Sequence, residues 1–98
     1  KIINAGPITI DVERSLATSD GKVLKLTAIE FKLLLELAKS NGRVLSRYTL
    51  LDRVWGGEGY ITDRTVDTHI RRLREKLGRA SKYIETVRSF GYRFLEDE

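Results

Sequence analysis

Arginine dominates the stretch at 62–78, TDRTVDTHIRRLREKLG. From Arg64 to Lys76 it carries five cationic side chains, four of them arginines, against two carboxylates. The planar guanidinium group forms paired hydrogen bonds with phosphate oxygens and with the guanine edge, which the point charge of lysine matches less well. We therefore interpret this stretch as a recognition helix for the major groove of DNA. By itself, the pattern also fits a solvated charged face on an ordinary surface helix.

The spacing of apolar side chains predicts that this stretch is a helix with two different faces. At about 100° per residue, four apolar residues fall in one narrow stripe. They are Val66, Ile70, Leu73 and Leu77. The residues that point the other way are polar or charged: Arg64, Thr68, Arg71, Arg72 and Glu75. One face would pack against the protein, and the other would be free to contact a partner.

Length and composition predict one compact domain, because 98 residues with 41% apolar and 33% charged side chains can bury a modest core. The net charge is +4, yet from Arg64 to Arg93 there are nine basic residues and three acidic ones. This asymmetry favours a polyanionic partner on one side of the domain. A membrane surface fits poorly, since the chain lacks an apolar run of about eighteen residues and the basic helix has no Trp or Phe on its apolar face.

No group of side chains in the sequence has the pattern of a catalytic or metal site. The chain has no cysteine and one histidine, His69, so a metal site is a weak hypothesis. Asp63 and Asp67 are one helical turn apart, and we interpret them as a helix cap and an ion-pair partner. We expect no enzymatic activity, no cofactor and no metal. The lack of cysteine permits a reducing, cytoplasmic setting, and a chain that begins at Lys1 is expected to be a piece of a longer protein.

The first 26 residues predict a small antiparallel sheet. Four short β-leaning runs are separated by turn-forming residues, and they lie at 1–4, 8–11, 15–18 and 23–26. No side chain in this region suggests ligand chemistry. We expect a scaffold, or an interface with whatever precedes Lys1.

Two further helices are predicted before the arginine-rich one. Thr27 and Glu30 form a capping-box pattern at the start of a helix that is apolar around most of its girth, and Gly42 would end it. Ser46 would cap a shorter helix at 47–55. Two helices joined by a loop, the second of them basic on its outer face, have the layout of a helix-turn-helix.

The chain after residue 78 predicts a β-hairpin with strands at 83–87 and 92–95. Arg88 would lie at or near its tip. An arginine on a hairpin beside a major-groove helix could enter the adjacent minor groove, so Arg88 is a candidate DNA contact. The hairpin by itself favours the alternative, in which it merely completes the sheet and the arginine is solvated.

The order of these elements and several long motifs resemble the winged-helix effector domain of the OmpR/PhoB class of bacterial response regulators. The motifs are LTAIEFKLL at 26–34, VLSR at 44–47, VWG at 54–56, RTVDTHIRRLR at 64–74, TVR at 86–88 and GYRF at 91–94. The resemblance covers nearly the whole chain. It implies an α+β fold in one domain at 1–98: a winged helix-turn-helix with an N-terminal antiparallel sheet, three helices and a C-terminal β-hairpin wing.

The resemblance also implies roles for individual residues. Residues at or near the bases of the major groove would be Thr68, Arg72 and Arg74. Residues closer to the phosphate backbone would be Arg47, Trp55, Arg64, His69 and Arg71. The wing would contact DNA through Thr86 and Arg88. The loop that matches the family's transactivation loop, which is thought to meet RNA polymerase or its sigma subunit, contains Gly57, Glu58, Gly59 and Tyr60.

The helical wheel and the resemblance disagree on Arg74. This residue falls beside the apolar stripe, so a phosphate contact or an ion pair with Asp67 is more natural for it than base reading. As major-groove contacts we therefore rank Thr68, Arg71 and Arg72 ahead of Arg74.

Two positions depart from the family's pattern. Thr68 stands where the family often has a β-branched apolar residue. It keeps a methyl group for thymine but adds a hydroxyl, which leaves its preferred base open. Ser89 and Phe90 stand where a glycine often follows the wing arginine, which leaves the geometry of the wing tip open.

From the residues and the resemblance together we expect sequence-specific binding of double-stranded DNA and regulation of transcription, as the output domain of a two-component response regulator. Because one domain reads few base pairs, the resemblance implies a tandem homodimer on direct repeats, and an upstream receiver domain that promotes it. RNA polymerase or its sigma subunit is a further expected partner, and a membrane is not. The alternative is a winged-helix protein-interaction module whose basic face binds an acidic partner.

Overall fold

The computed structural model describes residues 1–56 and 62–95. Its N-terminal part is an antiparallel sheet whose four strands follow one another in chain order: β1 (Ile2–Ala5), β2 (Ile8–Asp11), β3 (Leu16–Ser19) and β4 (Lys22–Val23). The predicted meander is confirmed, although β4 is shorter than the predicted run at 23–26. Ile3, Ile10 and Ala17 are in register across the first three strands and belong to the inner face of the sheet, which packs on the core.

Three helices follow: α1 (Ala28–Lys39), α2 (Arg47–Trp55) and α3 (Asp63–Leu77). The predicted caps of the first two helices are confirmed. Thr27 Oγ1 accepts a hydrogen bond from the Glu30 N–H at 3.2 Å, and the Glu30 carboxylate accepts one from the Thr27 N–H at 2.8 Å. Ser46 Oγ accepts one from the Thr49 N–H at 3.0 Å. Gly56 ends α2 in the left-handed conformation, with a φ of 70°.

The end of α1 lies earlier than the sequence predicts. The helix stops at Lys39, because the Ser40 hydroxyl donates to the Leu37 carbonyl at 2.6 Å and Asn41 turns left-handed with a φ of 54°. Gly42 has the expected positive φ of 82°, but it lies in the turn that follows the helix. Polar residues with local hydrogen bonds therefore ended the helix before the glycine.

The apolar stripe of α3 lies in the core. All four of its members are buried, as the helical period predicts: Val66, Ile70, Leu73 and Leu77. An ion pair joins α1 to α3, with 2.7 Å between Lys76 Nζ and the buried carboxylate of Glu30. Burial by itself would raise the pKa of Glu30, but the hydrogen bond from Lys76 and those from Thr27 outweigh it and lower that pKa.

A 3-10 helix (Gly78–Tyr83) leads into the C-terminal hairpin of β5 (Ile84–Val87) and β6 (Gly91–Phe94), which we call the wing. Arg88 lies in its turn, as predicted. The segment before α2 adds one bridge to the wing, since Leu45 and Tyr92 exchange backbone hydrogen bonds of 2.8 and 3.0 Å. The predicted fold class is confirmed.

The bridge to Leu45 brings two backbone segments into close contact at Gly91. This glycine has a φ of 144°, and a Cβ there would lie 2.1 Å from the Leu45 carbonyl oxygen. A side chain cannot occupy that space. Glycine at this position therefore permits the wing to dock against the chain that leads into α2.

Candidate nucleic-acid interface

α3 presents its polar face to solvent. Arg64, Arg71 and Arg72 are exposed, and Thr68 is half-buried among them. The division of α3 into a buried stripe and a charged face is therefore confirmed. The contacts of these side chains with bases and phosphates remain predictions.

The Thr68 hydroxyl is already used within α3. Its Oγ1 donates to the Arg64 carbonyl, one turn earlier, at 3.1 Å. Because a hydroxyl has a single proton, this one can offer a base its lone pairs but no donor. Thr68 can therefore present a methyl group and an acceptor to the major groove.

Arg74 is directed toward the wing. Its Nη2 donates to the Ile84 carbonyl at 2.7 Å and to the Thr86 hydroxyl at 2.8 Å. Its guanidinium carbon lies 5.6 Å from the centroid of the Tyr92 ring. The ion pair of Arg74 with Asp67, which the helical wheel allowed, is wrong because β5 provides the acceptors instead. The contact of Arg74 with DNA remains a prediction.

Asp67 joins three elements. Its Oδ1 accepts a hydrogen bond from Arg47 Nε of α2 at 2.7 Å and another from the Tyr92 hydroxyl of β6 at 2.5 Å. The Arg47 guanidinium carbon also lies 5.7 Å from the centroid of the Tyr92 ring. Sequence reasoning missed this cluster, because its members are 20 and 25 residues apart and only tertiary packing brings them together.

Hydrogen bonds and charges within this cluster shift the pKa values of Asp67, Tyr92 and Arg47. Burial would raise the pKa of Asp67, but the hydrogen bonds from Tyr92 and Arg47 outweigh it and lower that pKa. Burial, and then the bond to Asp67, raises the pKa of Tyr92. The bond to Asp67 raises the pKa of Arg47. At neutral pH the cluster therefore contains a carboxylate, a neutral phenol and a guanidinium cation.

An open groove lies at the N-terminal end of α3. It is lined by Arg47, Thr62, Asp63, Arg64 and Asp67. Thr62 is the N-cap residue and makes no side-chain capping hydrogen bond. The first N–H groups of a helix and the positive end of its dipole favour an anion, and two guanidinium groups flank this end. The groove therefore suits a phosphate group, provided that the negative charges of Asp63 and Asp67, which also line it, are neutralised.

Trp55 and His69 pack edge to face, with ring centroids 5.3 Å apart. His69 Nδ1 lies 2.9 Å from the Thr65 carbonyl. Since a carbonyl can only accept, Nδ1 carries a proton, and Nε2 of the neutral ring is an acceptor. A hydrogen bond from Nε2 to a phosphate therefore requires the doubly protonated ring. The phosphate contacts expected of Trp55 and His69 remain predictions.

The tip of the wing exposes Arg88 and Phe90, with 69% of Phe90 accessible. Ser89 has a φ of 74°, and the Phe90 N–H donates to the Val87 carbonyl at 2.9 Å. Ser89 thus adopts the left-handed conformation at the position where the family often has glycine. The wing turn is closed, and the side chains of Arg88 and Phe90 are both exposed there.

Three further expectations concern the polymerase contact, metal binding and the membrane. The residues expected to contact polymerase, Gly57, Glu58, Gly59 and Tyr60, lie outside the described residues. Within 1–56 and 62–95, no group of His, Asp or Glu side chains has a metal-binding arrangement. Among the helices described, none has the length and apolar character needed to cross a membrane.

Comparison with known proteins finds relatives over almost the whole chain. Residues 21–94 match the family described as "Transcriptional regulatory protein, C terminal". The phosphate regulon transcriptional regulatory protein PhoB of Pseudomonas aeruginosa is 42% identical over 93 residues, which cover 94% of this chain and 41% of that protein. The chain spans about two fifths of the length of the curated relatives it matches.

Two solved structures with the same fold are described as DNA-binding domains. The DNA-binding domain of CpxR from E. coli superimposes with a TM-score of 0.87 at 32% identity, over 100% of this chain and 99% of that one. The Klebsiella pneumoniae RstA DNA-binding domain in complex with the RstA box gives a TM-score of 0.85 at 37% identity, over 97% of each chain.

Proposed function

The chain belongs to the family of transcriptional regulatory proteins defined by this C-terminal domain, and from that membership we propose that it binds double-stranded DNA at specific sequences and regulates transcription. It does so as the non-enzymatic output domain of a two-component response regulator. The observation that carries the proposal is the exposed arginine face of α3, which is backed by a buried apolar stripe.

α3 enters the major groove in this proposal. Arg71 and Arg72 are exposed and offer the paired donors that suit guanine, and Thr68 offers a methyl group that suits thymine. Arg47 and Arg64 bind phosphate at the N-terminal end of α3, and Trp55 and His69, which pack on each other, supply further phosphate contacts. These phosphate contacts fix the register of the helix on the duplex without reading sequence.

The wing contacts the adjacent minor groove. Arg88 projects from its turn, and a cation there meets the most negative potential of the duplex. The Thr86 hydroxyl accepts a hydrogen bond from Arg74, so its own proton can be donated to a phosphate oxygen. The RstA DNA-binding domain, which has the same fold, is described in complex with the RstA box, and this supports DNA binding by the fold as a whole.

The remaining partners follow from the family. An upstream receiver domain brings two copies together, and the copies occupy direct repeats as a tandem pair, which raises specificity beyond that of one domain. The loop that contains Gly57, Glu58, Gly59 and Tyr60 contacts RNA polymerase or its sigma subunit. The protein acts in the cytoplasm. A protein-interaction module with an acidic partner is the second candidate, since the same basic face would serve it.

A binding selection tests the proposal. The 98-residue chain is mixed with a random duplex pool at near-physiological salt, and the bound DNA is sequenced. We expect a directly repeated half-site to be enriched. A bound pool without a motif would indicate a nonspecific basic surface, and a pool that fails to bind even at low salt would favour the protein-interaction alternative.

The salt dependence of binding provides the matched control. Arg64→Ala should reduce the magnitude of the slope of log K against log salt by about one, because one phosphate contact is lost. Arg14→Ala removes an equally charged side chain from the exposed turn between β2 and β3, far along the chain from α3. It should leave both the slope and the affinity close to those of the parent chain.

A further inference from the structure

The DNA contacts proposed above come from three separate elements. α2 supplies Arg47, α3 supplies the major-groove side chains, and the wing supplies Arg88. A duplex presents its grooves at fixed distances and angles, so these elements must keep a fixed relative orientation to engage it together. Contacts within the fold must therefore fix the orientation of the wing relative to α3.

Tyr92 contacts all the elements concerned. It belongs to β6, and its side chain is almost fully buried, with 4% of the residue accessible. Its hydroxyl donates to Asp67 of α3, and the guanidinium groups of Arg47 and Arg74 both lie within 6 Å of its ring centroid. A cation over an aromatic ring is attracted by the negative face of the ring. One side chain thus connects the wing to α2 and α3.

The Asp67 carboxylate is the shared acceptor of the cluster. Arg47 and Tyr92 donate to the same oxygen, Oδ1, so the position of one donor constrains the other. Asp67 also lines the groove that suits a phosphate, where an unpaired carboxylate would repel DNA. Its pairing with Arg47 Nε offsets that repulsion, and Arg47 lines the same groove.

We propose that Tyr92 is a positioning residue for DNA binding: through Asp67, and between Arg47 and Arg74, it sets the orientation of the wing relative to α3 so that Arg88 and the major-groove side chains engage one duplex together. This inference rests on the proposed function. Arg74 adds a second connection, since it donates to Ile84 and Thr86 of β5. The backbone bridge between Leu45 and Tyr92 holds the wing in place, and the tyrosine hydroxyl sets its angle.

Tyr92→Phe tests the proposal without removing the fold. The variant loses one hydroxyl but keeps the buried ring, the contacts with both arginines and the bridge to Leu45. The matched control is Tyr83→Phe, because Tyr83 is a half-buried tyrosine that stacks on Phe94 at 5.8 Å between centroids and lies outside the Asp67 cluster. Each substitution is made in the 98-residue chain, with and without Arg88→Ala.

The first measurement is the affinity for the selected duplex. In the parent chain and in Tyr83→Phe, Arg88→Ala should weaken binding by about tenfold, the loss expected for one well-placed charged contact. In Tyr92→Phe the same change should weaken binding by roughly threefold or less, because Arg88 is already misplaced. An equal loss in all three backgrounds would overturn the proposal, even if Tyr92→Phe lowers the melting temperature.

The second measurement needs no DNA. Amide hydrogen exchange is compared for residues 84–94 and for α3 in the free protein. Exchange in the wing should be about tenfold faster in Tyr92→Phe than in the parent chain, with α3 unchanged and Tyr83→Phe unchanged throughout. Unaltered exchange in the wing would overturn the proposal by itself, whereas a parent chain that binds no duplex would overturn the proposed function.

Discussion

Single residues on α3 differ in which of their polar groups are free. The Thr68 hydroxyl donates within its own helix, and the Arg74 guanidinium is occupied by β5, whereas Arg71 and Arg72 are exposed. The chemistry available to DNA therefore depends on these internal hydrogen bonds as much as on residue type. Thr68 can offer DNA only a methyl group and a hydrogen-bond acceptor. This combination favours thymine, which has a methyl group, over guanine, whose major-groove edge offers only acceptors.

The contact can be tested by removing the methyl group of thymine from the DNA and the methyl group of Thr68 from the protein. Thymines in the selected site are replaced one at a time by deoxyuridine, which lacks the 5-methyl group. At one position we expect the replacement to weaken binding by the parent chain about fourfold, as burial of one methyl group contributes that factor. Thr68→Val keeps the methyl group and should show the same loss. Thr68→Ser lacks it and should show almost none.

The contrary result is equally clear for Thr68. If Thr68→Ser still loses affinity at the same uracil as the parent chain does, another side chain contacts the thymine methyl. Binding is measured by fluorescence anisotropy at one fixed salt concentration, because affinities at different salt cannot be compared.

At the scale of elements, the wing depends on a contact with a distant segment. β6 pairs with Leu45, and Gly91 provides the close approach that this pairing needs. The hairpin is therefore joined by one β-bridge to the segment before α2, and the backbone hydrogen bonds of this bridge set its position relative to α2. Side chains of the Asp67 cluster then connect it to α3.

Gly91→Ala should be strongly destabilising. Its Cβ would lie 2.1 Å from the Leu45 carbonyl oxygen, and its φ of 144° is unfavourable for a side chain. We expect the free energy of unfolding to fall by about 2 to 4 kcal/mol, the sum of backbone strain and overpacking. Urea denaturation measures it.

Gly56→Ala separates strain from steric clash. Gly56 is left-handed, with a φ of 70° and a ψ of 21°, but no described atom lies within 4 Å of the Cβ it would gain. This control should cost about 1 kcal/mol, the penalty of a left-handed alanine. If Gly91→Ala lowered the free energy of unfolding by no more than the control does, the bridge to Leu45 would tolerate displacement.

Local features of these elements could be predicted from the sequence. The capping box at Thr27, the cap at Ser46 and the buried stripe of α3 depend on neighbours within one or two helical turns, which a pattern reveals. The partner of Asp67 could not be predicted, because Arg47 and Tyr92 reach it from other elements. The helical wheel offered Arg74 as a partner because it considers one helix at a time.

The whole molecule combines a basic surface with two carboxylates whose pKa is lowered, Glu30 and Asp67. A group with a lower pKa in the folded state than in the unfolded state stabilises the fold above its ordinary pKa and loses that contribution as the pH falls. Glu30 joins α1 to α3, and Asp67 joins α3 to α2 and the wing. Acid therefore weakens contacts between elements.

The free energy of unfolding should decrease as the pH falls below about 4.5, the ordinary value for Glu30, and further through that of Asp67 near 3.8. Asp67→Asn should be less stable than the parent chain at pH 7 and should lose less stability on acidification. Asp52→Asn, an exposed aspartate of α2 outside the cluster, controls for the loss of one carboxylate. Urea denaturation from pH 7 to 3 gives the comparison. Parallel curves for Asp67→Asn and the parent chain would contradict it.

The bridge between Leu45 and Tyr92 also determines when the wing can form during synthesis of the chain on the ribosome. All three helices leave the exit tunnel before Tyr92 does, so they can pack while the strand that completes the wing is still being synthesised. During that interval a nascent chain carries the arginine face of α3 without the hairpin and without Tyr92 to orient it. The surface proposed to bind DNA is thus complete only after Tyr92 has been synthesised and has paired with Leu45.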